Sequence, residues 1–138
     1  MGIRIPLEIR RNNTIVQTSA LANSGYESEE PEVHIPITLA KKLGFSLEAL
    51  RSERYYAIGI EVPTYVLGYV YVRVFTSDRV SDWVRARAVT VPNEYEVIIS
   101  DALIEALGIE LVMPRTGLWR FRGESITRKS IEPQYWID

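Results

Sequence analysis

The chain has 138 residues, 46% of them hydrophobic and 25% charged, a composition typical of one globular domain and not of a disordered or membrane-spanning protein. Its 16 basic and 18 acidic residues give a net charge of −2, which disfavours nucleic acid as a partner of the chain as a whole. The sequence contains no cysteine and a single histidine, His34, so disulfides, a cysteine nucleophile and thiolate or multi-histidine metal centres are excluded. Chemistry performed by carboxylates remains, as does a pure binding role, and we predict no metal and no cofactor.

The lengths of the apolar runs indicate whether the chain could span a membrane or carry a signal peptide. No apolar run reaches the roughly 20 residues that span a bilayer. The charges among residues 1–10 interrupt the apolar stretch that a signal peptide would need. We therefore expect a cytoplasmic protein with no membrane partner.

The first part of the chain predicts a β-hairpin. Apolar and polar residues roughly alternate over residues 3–10, and the pattern resumes over 14–18 after an interruption at 11–13. The second strand continues into a small apolar stretch, residues 19–22, which is typical of a strand buried on both faces. Residues 23–25 (Asn-Ser-Gly) then predict a turn, because Asn and Gly both tolerate positive φ.

The next segment predicts a loop followed by a short helix. Residues 27–32 hold four acids and are expected to form a solvated loop, and His34 is expected to be a loop residue before the helix. The helix begins at Pro36 and ends at Gly44, residues that suit the first helical position and the position after the last. Ser46 is placed to cap a further helical turn.

The middle of the chain predicts a long hairpin. Residues 55–75 are rich in Tyr, Val and Ile, which favour strands. We place the tip of this hairpin at residues 61–64 (Glu-Val-Pro-Thr), since proline interrupts strand pairing.

The last part predicts two strands, a helix and a second hairpin. The strands cover residues 84–91 and 95–99, and Ser100 is expected to cap the helix that follows. Turn signals on either side of residues 118–121 indicate the hairpin. The apolar end of the chain, residues 135–137, is expected to dock on a surface and not to remain in water.

Two of these segments, taken in order, resemble the signatures of the retropepsin-like aspartic peptidases. Residues 20–25 (Ala-Leu-Ala-Asn-Ser-Gly) match the family's Ala-Leu-x-Asp-(Thr/Ser)-Gly signature except at the acid. Residues 98–109 follow the second signature, a strand end of the Ile-Ile-Gly type and a short helix that closes with Leu-Gly, with Ser100 in the place of the usual glycine. Tyr26 and residues 34–45 are similar to the segment that prokaryotic members carry after the active-site turn.

This resemblance, which covers roughly residues 5–111, implies an all-β, closed-barrel-like retropepsin (acid protease) fold with one or two short helices. It implies a single domain over residues 1–138 that assembles as a homodimer, with the hairpin and tail of residues 112–138 at the dimer interface. It also implies an aspartic endopeptidase that binds an extended polypeptide substrate under two hairpin flaps. The residues assigned to the site are Asn23, Ser24 and Gly25 at the catalytic turn, and Tyr26, Glu61, Val62, Pro63 and Thr64 for contact with substrate.

The departure from the family signature falls on the catalytic acid. In the family, one Asp from each subunit shares a proton with the other and activates a water molecule. Asn23 is neutral at any relevant pH and cannot act as the base, so we predict that this chain does not cut peptides. Three explanations stay open: replacement of Asp by an experimenter, a naturally non-catalytic relative, and slow deamidation of Asn23 ahead of Ser24. We favour the first, because the neighbouring residues follow the signature and Asn is the minimal isosteric change.

Two other functions also stay open. A non-catalytic module of the same fold would hold peptides without cutting them. A small barrel that binds single-stranded nucleic acid would use basic residues interleaved with aromatic ones, as found near the C-terminus around Trp119 and Phe121. We favour a solvated hairpin face for those basic residues, which are Arg115, Arg120, Arg122, Arg128 and Lys129.

Overall fold

A computed structural model describes residues 2–47, 51–57 and 60–137. Its strands are β1 (Ile3–Arg11), β2 (Thr14–Ala22), β3 (Glu32–His34), β4 (Arg51–Ala57), β5 (Ile60–Val74), β6 (Val84–Thr90), β7 (Val97–Ile99), β8 (Ile109–Met113), β9 (Leu118–Phe121) and β10 (Arg128–Lys129), and its helices are α1 (Ile37–Lys42) and α2 (Asp101–Ala106). Within these described ranges, no helix has the length and apolar character needed to cross a membrane.

Six strands close into a barrel. They pair in the order β1-β2-β7-β3-β6-β5, and β5 pairs back onto β1, while β4 extends the sheet outside the ring as a partner of β5. The expectation of a mostly β, closed barrel with short helices is therefore confirmed. Closure leaves few free strand edges, because each barrel strand is paired on both sides over part of its length.

The predicted β1–β2 hairpin is present and supplies much of the core. Ile3 pairs with Ala22 and Arg11 pairs with Thr14, and the turn uses Asn12 at a φ of 54°. Because side chains alternate along a strand, β1 directs one set into the barrel, where each buried aliphatic side chain contributes about 1.5–3 kcal/mol. That set is Ile3, Ile5, Leu7 and Ile9.

Strand β7 lies between β2 and β3, and this insertion positions the site. It runs parallel to β2, with Ala22 beside Ile99, and antiparallel to β3. Asn23 directly follows β2, and its N–H donates to the carbonyl of Ile99 at 3.3 Å. Two segments that are far apart in the sequence therefore end at the same edge of the sheet, with the turn on one and helix α2 on the other.

The predicted loop placement of Glu32 and His34 is wrong. Both belong to β3, and only 2% of Glu32 and 3% of His34 is exposed. Since β3 pairs with β6 on one side and β7 on the other, it is a central strand although it has only three residues. His34 bonds through Nδ1 to the carbonyl of Glu96 at 2.9 Å, and burial lowers the pKa of its imidazole.

The predicted tip of the long hairpin is also wrong. Residues 61–64 belong to β5 and pair with residues 53–56 of β4, so the connection falls between Ala57 and Ile60, outside the described residues. Strand β6 joins β5 only from Tyr65 onward, so β5 has a partner on one side alone at Pro63. Proline is tolerated there because a strand with one free edge does not require every N–H. The further turn expected after Ser46 falls on residues that are partly outside the described ranges.

The C-terminal part forms a second sheet against the barrel. Strands β8, β9 and β10 pair in sequence, and β9 buries Trp119 and Phe121, whose ring centroids lie 5.4 Å apart in an edge-to-face arrangement. Several of the basic residues here are paired: Arg120 lies 3.3 Å from Glu110, and Arg128 contacts Glu124. The side chain of Arg128 is only 12% exposed, so it does not lie on the solvated hairpin face that we predicted for it.

The tail returns along the first hairpin. The N–H of Ile131 donates to the carbonyl of Arg4 at 3.0 Å, and the N–H of Gln134 donates to Ser19 Oγ at 2.7 Å. The indole of Trp136 donates to Thr18 Oγ1 at 3.0 Å. Of the apolar end that was expected to dock, Trp136 is half-buried, whereas its two neighbours are more than half exposed.

The Arg128–Glu124 pair makes the fold sensitive to acid in a defined interval. The hydrogen bond from Arg128 lowers the pKa of Glu124 from 4.5 to about 2. A carboxylate with a lowered pKa contributes stability above its unfolded pKa and loses it as the pH falls through the folded value. We expect the free energy of unfolding of Glu124→Gln to be lower than that of the original chain at neutral pH and to approach it between pH 4.5 and about 2. Urea unfolding across that interval measures the difference, and a difference that does not change with pH would contradict the assignment.

Candidate active site

The turn after β2 is exposed and internally bonded. The N–H of Tyr26 donates to the carbonyl of Asn23 at 3.0 Å, and the N–H of Gly25 donates to Asn23 Oδ1 at 3.0 Å. A Cβ added at Gly25 would lie 3.2 Å from that same oxygen, which favours glycine here. A carboxylate oxygen at position 23 would accept the Gly25 bond equally well, because amide and carboxylate oxygens are both acceptors.

Ser24 sits at the crest of this turn. It is exposed, and its hydroxyl makes no hydrogen bond with any residue that the structure describes. It is therefore able to bond to a group outside the chain.

A buried ion pair supports the turn from behind. The hydroxyl of Tyr26 donates to Glu32 Oε2 at 2.5 Å, and a guanidinium nitrogen of Arg87 lies 3.1 Å from Glu32 Oε1. Both carboxylate oxygens of Glu32 are thus satisfied although the side chain is almost fully enclosed. Tyr26, which we predicted to contact substrate, has its hydroxyl committed to this pair. Sequence reasoning missed Glu32 because this residue belongs to a run of acids that is typical of a loop. The one signal for a strand here was the alternation of apolar Val33 and Ile35 with polar Glu32 and His34.

Ser100 joins the turn to helix α2. Its Oγ accepts from the N–H of Leu103 at 3.3 Å, the helix cap that was predicted, and also from the N–H of Glu32 at 3.1 Å. The hydroxyl oxygens of Ser28 and Ser100 lie 2.7 Å apart. One fully buried side chain therefore holds β3, the loop after the turn and the start of α2.

We expect Ser100→Ala to lower the free energy of unfolding by about 1–3 kcal/mol, because it leaves the buried N–H groups of Glu32 and Leu103 without their acceptor. Denaturant unfolding with a matched Ser125→Ala variant, whose serine is exposed, measures the difference. Equal stability of the two variants would refute the role of the Ser100 hydroxyl.

Asp101 has a structural role. Its Oδ1 accepts from the N–H of Ser28 at 3.0 Å and from the N–H of Ala102 at 2.7 Å, and its own N–H donates to the carbonyl of Tyr26 at 2.8 Å. This carboxylate is committed to backbone groups at the beginning of α2. Asp101 is thus an acid of the first helical turn whose carboxylate is occupied by backbone N–H groups.

The turn opens on a cleft of about 590 Å³. Asn23 and Ser24 line it together with parts of β1, β2 and the segment that follows β8. The described residues around it are Gly2, Ile3, Leu21, Ala22, Asn23, Ser24, Leu111, Pro114 and Arg115. Sequence reasoning missed the last three, since only the return of β8 to the barrel places them here.

The predicted flap residues are not brought to this cleft by the described part of the chain. Thr64 is buried and Pro63 is exposed, and neither lines the cleft. For Glu61 and Val62 the structure describes the backbone pairing alone, so their contact with substrate stays a prediction.

The charges behind the turn are neutralised, whereas the cleft in front of it has a net positive charge. The buried carboxylate of Glu32 is neutralised by Arg87, whereas the cleft itself carries Arg115 and the neutral Asn23. As it stands, the turn can accept or donate hydrogen bonds, but neither Asn23 nor Ser24 has the basicity to take a proton from water.

No family model matches the chain, and comparison with curated proteins finds no match either.

Proposed function

We propose that this chain is an aspartic endopeptidase of the retropepsin-like type in which Asn23 occupies the position of the catalytic Asp. The observation that carries the proposal is the exposed turn of Asn23, Ser24 and Gly25 at the joined ends of the parallel strands β2 and β7, open to a cleft. The form with Asp at position 23 hydrolyses peptide bonds of an extended polypeptide. We also place this activity in the cytoplasm.

The proposed chemistry needs two acids that share one proton. The ionised Asp takes a proton from a water molecule as this water attacks the scissile carbonyl, and the protonated Asp gives its proton to the carbonyl oxygen, which yields a tetrahedral diol. The first Asp then passes its proton to the nitrogen of the leaving amine as the C–N bond breaks, and one diol hydroxyl returns a proton to the second Asp as the carboxyl product forms. That protonation state arises because two carboxylates in close contact cannot both ionise. The bond from the Gly25 N–H would orient one oxygen of the Asp, leaving the other for water.

A homodimer supplies the second acid. Each chain has one such turn, and a two-fold axis through the turn brings two copies together. The exposed Ser24 hydroxyl is available for a bond across this axis, and the small Gly25 lets the two backbones approach. Val112 and Met113 follow on β8 and are 36% and 48% exposed, so apolar surface is present near the cleft for such an interface.

We expect light scattering at micromolar concentration to give a mass of about twice 15.8 kDa. A Met113→Glu variant is expected to shift this mass toward the monomer, because it introduces a charge where an apolar contact is proposed. An Ile15→Glu variant is the matched control, since Ile15 is similarly exposed, at 50%, but lies at the end of the β1–β2 hairpin that is far from Asn23. A monomeric mass for the original chain at this concentration would count against the dyad.

A second function is favoured by Asn23 itself. A naturally non-catalytic module would keep the cleft and bind extended peptides without cutting them. In such a module, the two Asn23 amides of the dimer would stand in the place of the two acids and would offer neutral hydrogen-bonding groups. Introduction of Asp at position 23 separates the two functions, because a module that lacks the rest of the catalytic geometry stays inactive.

A further inference from the structure

The cleft beside Asn23 carries one positive charge. Arg115 is the cation among its described lining residues, and none of those residues is acidic. The remaining walls are mostly apolar and come from residues such as Leu21 and Leu111. A guanidinium next to apolar walls interacts more strongly with an anion than it would in open water.

Arg115 differs from the other arginines of the same hairpin. Arg120 pairs with Glu110, Arg122 donates to the carbonyl of Glu105 at 3.1 Å, and Arg128 pairs with Glu124. Arg115 is exposed and makes no hydrogen bond or ion pair with any described residue. Its donors are therefore free to bind a group that enters the cleft.

We infer that Arg115 is a specificity-determining residue and that the cleft selects polypeptides with an acidic side chain, Asp or Glu, next to the site of attack. This inference rests on the proposed function, in which the cleft holds a polypeptide. A carboxylate is the ligand that fits best, because the planar guanidinium matches its two oxygens in a bidentate pair.

The identity of residue 23 should affect this selection. In the original chain, Asn23 is neutral and Arg115 is positive, so an acidic side chain in the cleft meets no negative charge from either residue. With Asp at position 23 a negative charge enters the same cleft and opposes the acidic side chain when that Asp is ionised. The preference for acidic peptides is therefore expected to be larger in binding to the original chain than in cleavage by the Asp form.

Binding to the original chain tests the inference without catalysis. The probes are two short fluorescent peptides of Val, Leu and Ala that differ only in a central Glu or Gln, and fluorescence anisotropy measures their affinity. We expect the Glu peptide to bind about two- to fivefold more tightly, the size expected for an ion pair that is exposed to solvent, and we expect Arg115→Gln to remove the difference. Added salt should reduce the preference, because the pair is exposed to solvent. Arg122→Gln is the matched control and should leave the preference unchanged.

Cleavage by the Asn23→Asp variant supplies an independent measurement. Mass spectrometry of the products from a mixed peptide library gives the residue preference at each position around the cut. An acidic preference at one position that disappears in Asn23→Asp/Arg115→Gln supports the inference, and an unchanged profile overturns it while leaving the peptidase proposal intact. If Asn23→Asp cuts nothing but the original chain still binds the Glu peptide through Arg115, the peptidase proposal fails and the selectivity stands.

The competing occupant of the cleft is a second copy of this chain. If Arg115→Gln lowers the dimeric mass in light scattering and leaves both peptide preferences unchanged, Arg115 pairs with an acid of the other subunit and the inference is wrong. Because Arg115 is exposed and has no described partner within the chain, its replacement is not expected to alter folding. Thermal unfolding of each variant verifies this.

Discussion

Asn23→Asp is expected to convert an inactive chain into a peptidase, with a rise in the rate of peptide-bond hydrolysis of about 10²–10⁴-fold, the contribution typical of a positioned acid–base group. The physical reason is that the turn already holds the oxygen at position 23 through the Gly25 N–H, so the substitution changes the proton chemistry and little of the geometry. Mass spectrometry of fragments released from an unfolded protein substrate at acidic pH measures the rate.

The matched control is Asn13→Asp. It makes the same change from amide to acid in the exposed turn between β1 and β2, which is not part of the cleft. Activity in Asn23→Asp and not in Asn13→Asp assigns the effect to the site. Silence in both variants, with dimeric mass and folding retained, would rule out the peptidase and favour the binding module.

The pH dependence of the restored activity is a sharper test of the dyad. Two carboxylates that share a proton titrate in two steps that belong to the pair, so the rate should pass through a maximum between two apparent pKa values. A single acid acting alone would give one step. Residual activity in the original chain should follow the square of the fraction of Asn23 that has deamidated, because both subunits of a dimer must carry the acid. Intact-mass measurement determines that fraction.

Local sequence signals were sufficient for the elements whose partners are close in the chain. The β1–β2 hairpin follows from the rough alternation of apolar and polar residues around Asn12, and the cap of α2 follows from Ser100 at its start. Both depend on bonds between residues a few positions apart. The Asn23 turn belongs to this class in part: the N–H groups of Gly25 and Tyr26 bond to Asn23, whereas the N–H of Asn23 itself bonds to the distant Ile99.

Elements that depend on distant partners were predicted wrongly or missed. Glu32 and His34 appeared to be loop residues, because nothing near them in the sequence reveals that β6 and β7 enclose them. Pro63 appeared to end a strand, since its tolerance depends on where β6 stops. Arg115 was assigned to a solvated face, and its place in the cleft follows only from the return of β8 to the barrel.

The buried pair of Arg87 and Glu32 predicts the largest effect on stability. We expect Arg87→Met to lower the free energy of unfolding by about 3–5 kcal/mol, because it leaves the carboxylate of Glu32 enclosed without its cation. Urea unfolding measures the loss. Arg85→Met is the matched control on the same strand: Arg85 is exposed and lies 3.8 Å from the ring centroid of Tyr69, an interaction of about 0.5–1 kcal/mol.

A double variant shows whether the loss comes from the unpaired charge. In Glu32→Gln/Arg87→Met the enclosed group is neutral and still accepts from the Tyr26 hydroxyl, so most of the lost stability should return. If the double variant is no more stable than Arg87→Met, the packing of the arginine side chain explains the effect and the charge does not.

Because Tyr26 connects this pair to the turn, we also expect Arg87→Met to reduce the activity of Asn23→Asp under conditions where the protein remains folded. Glu32→Gln/Arg87→Met should restore that activity together with the stability, since it removes the unpaired charge behind the turn and keeps an acceptor for the Tyr26 hydroxyl.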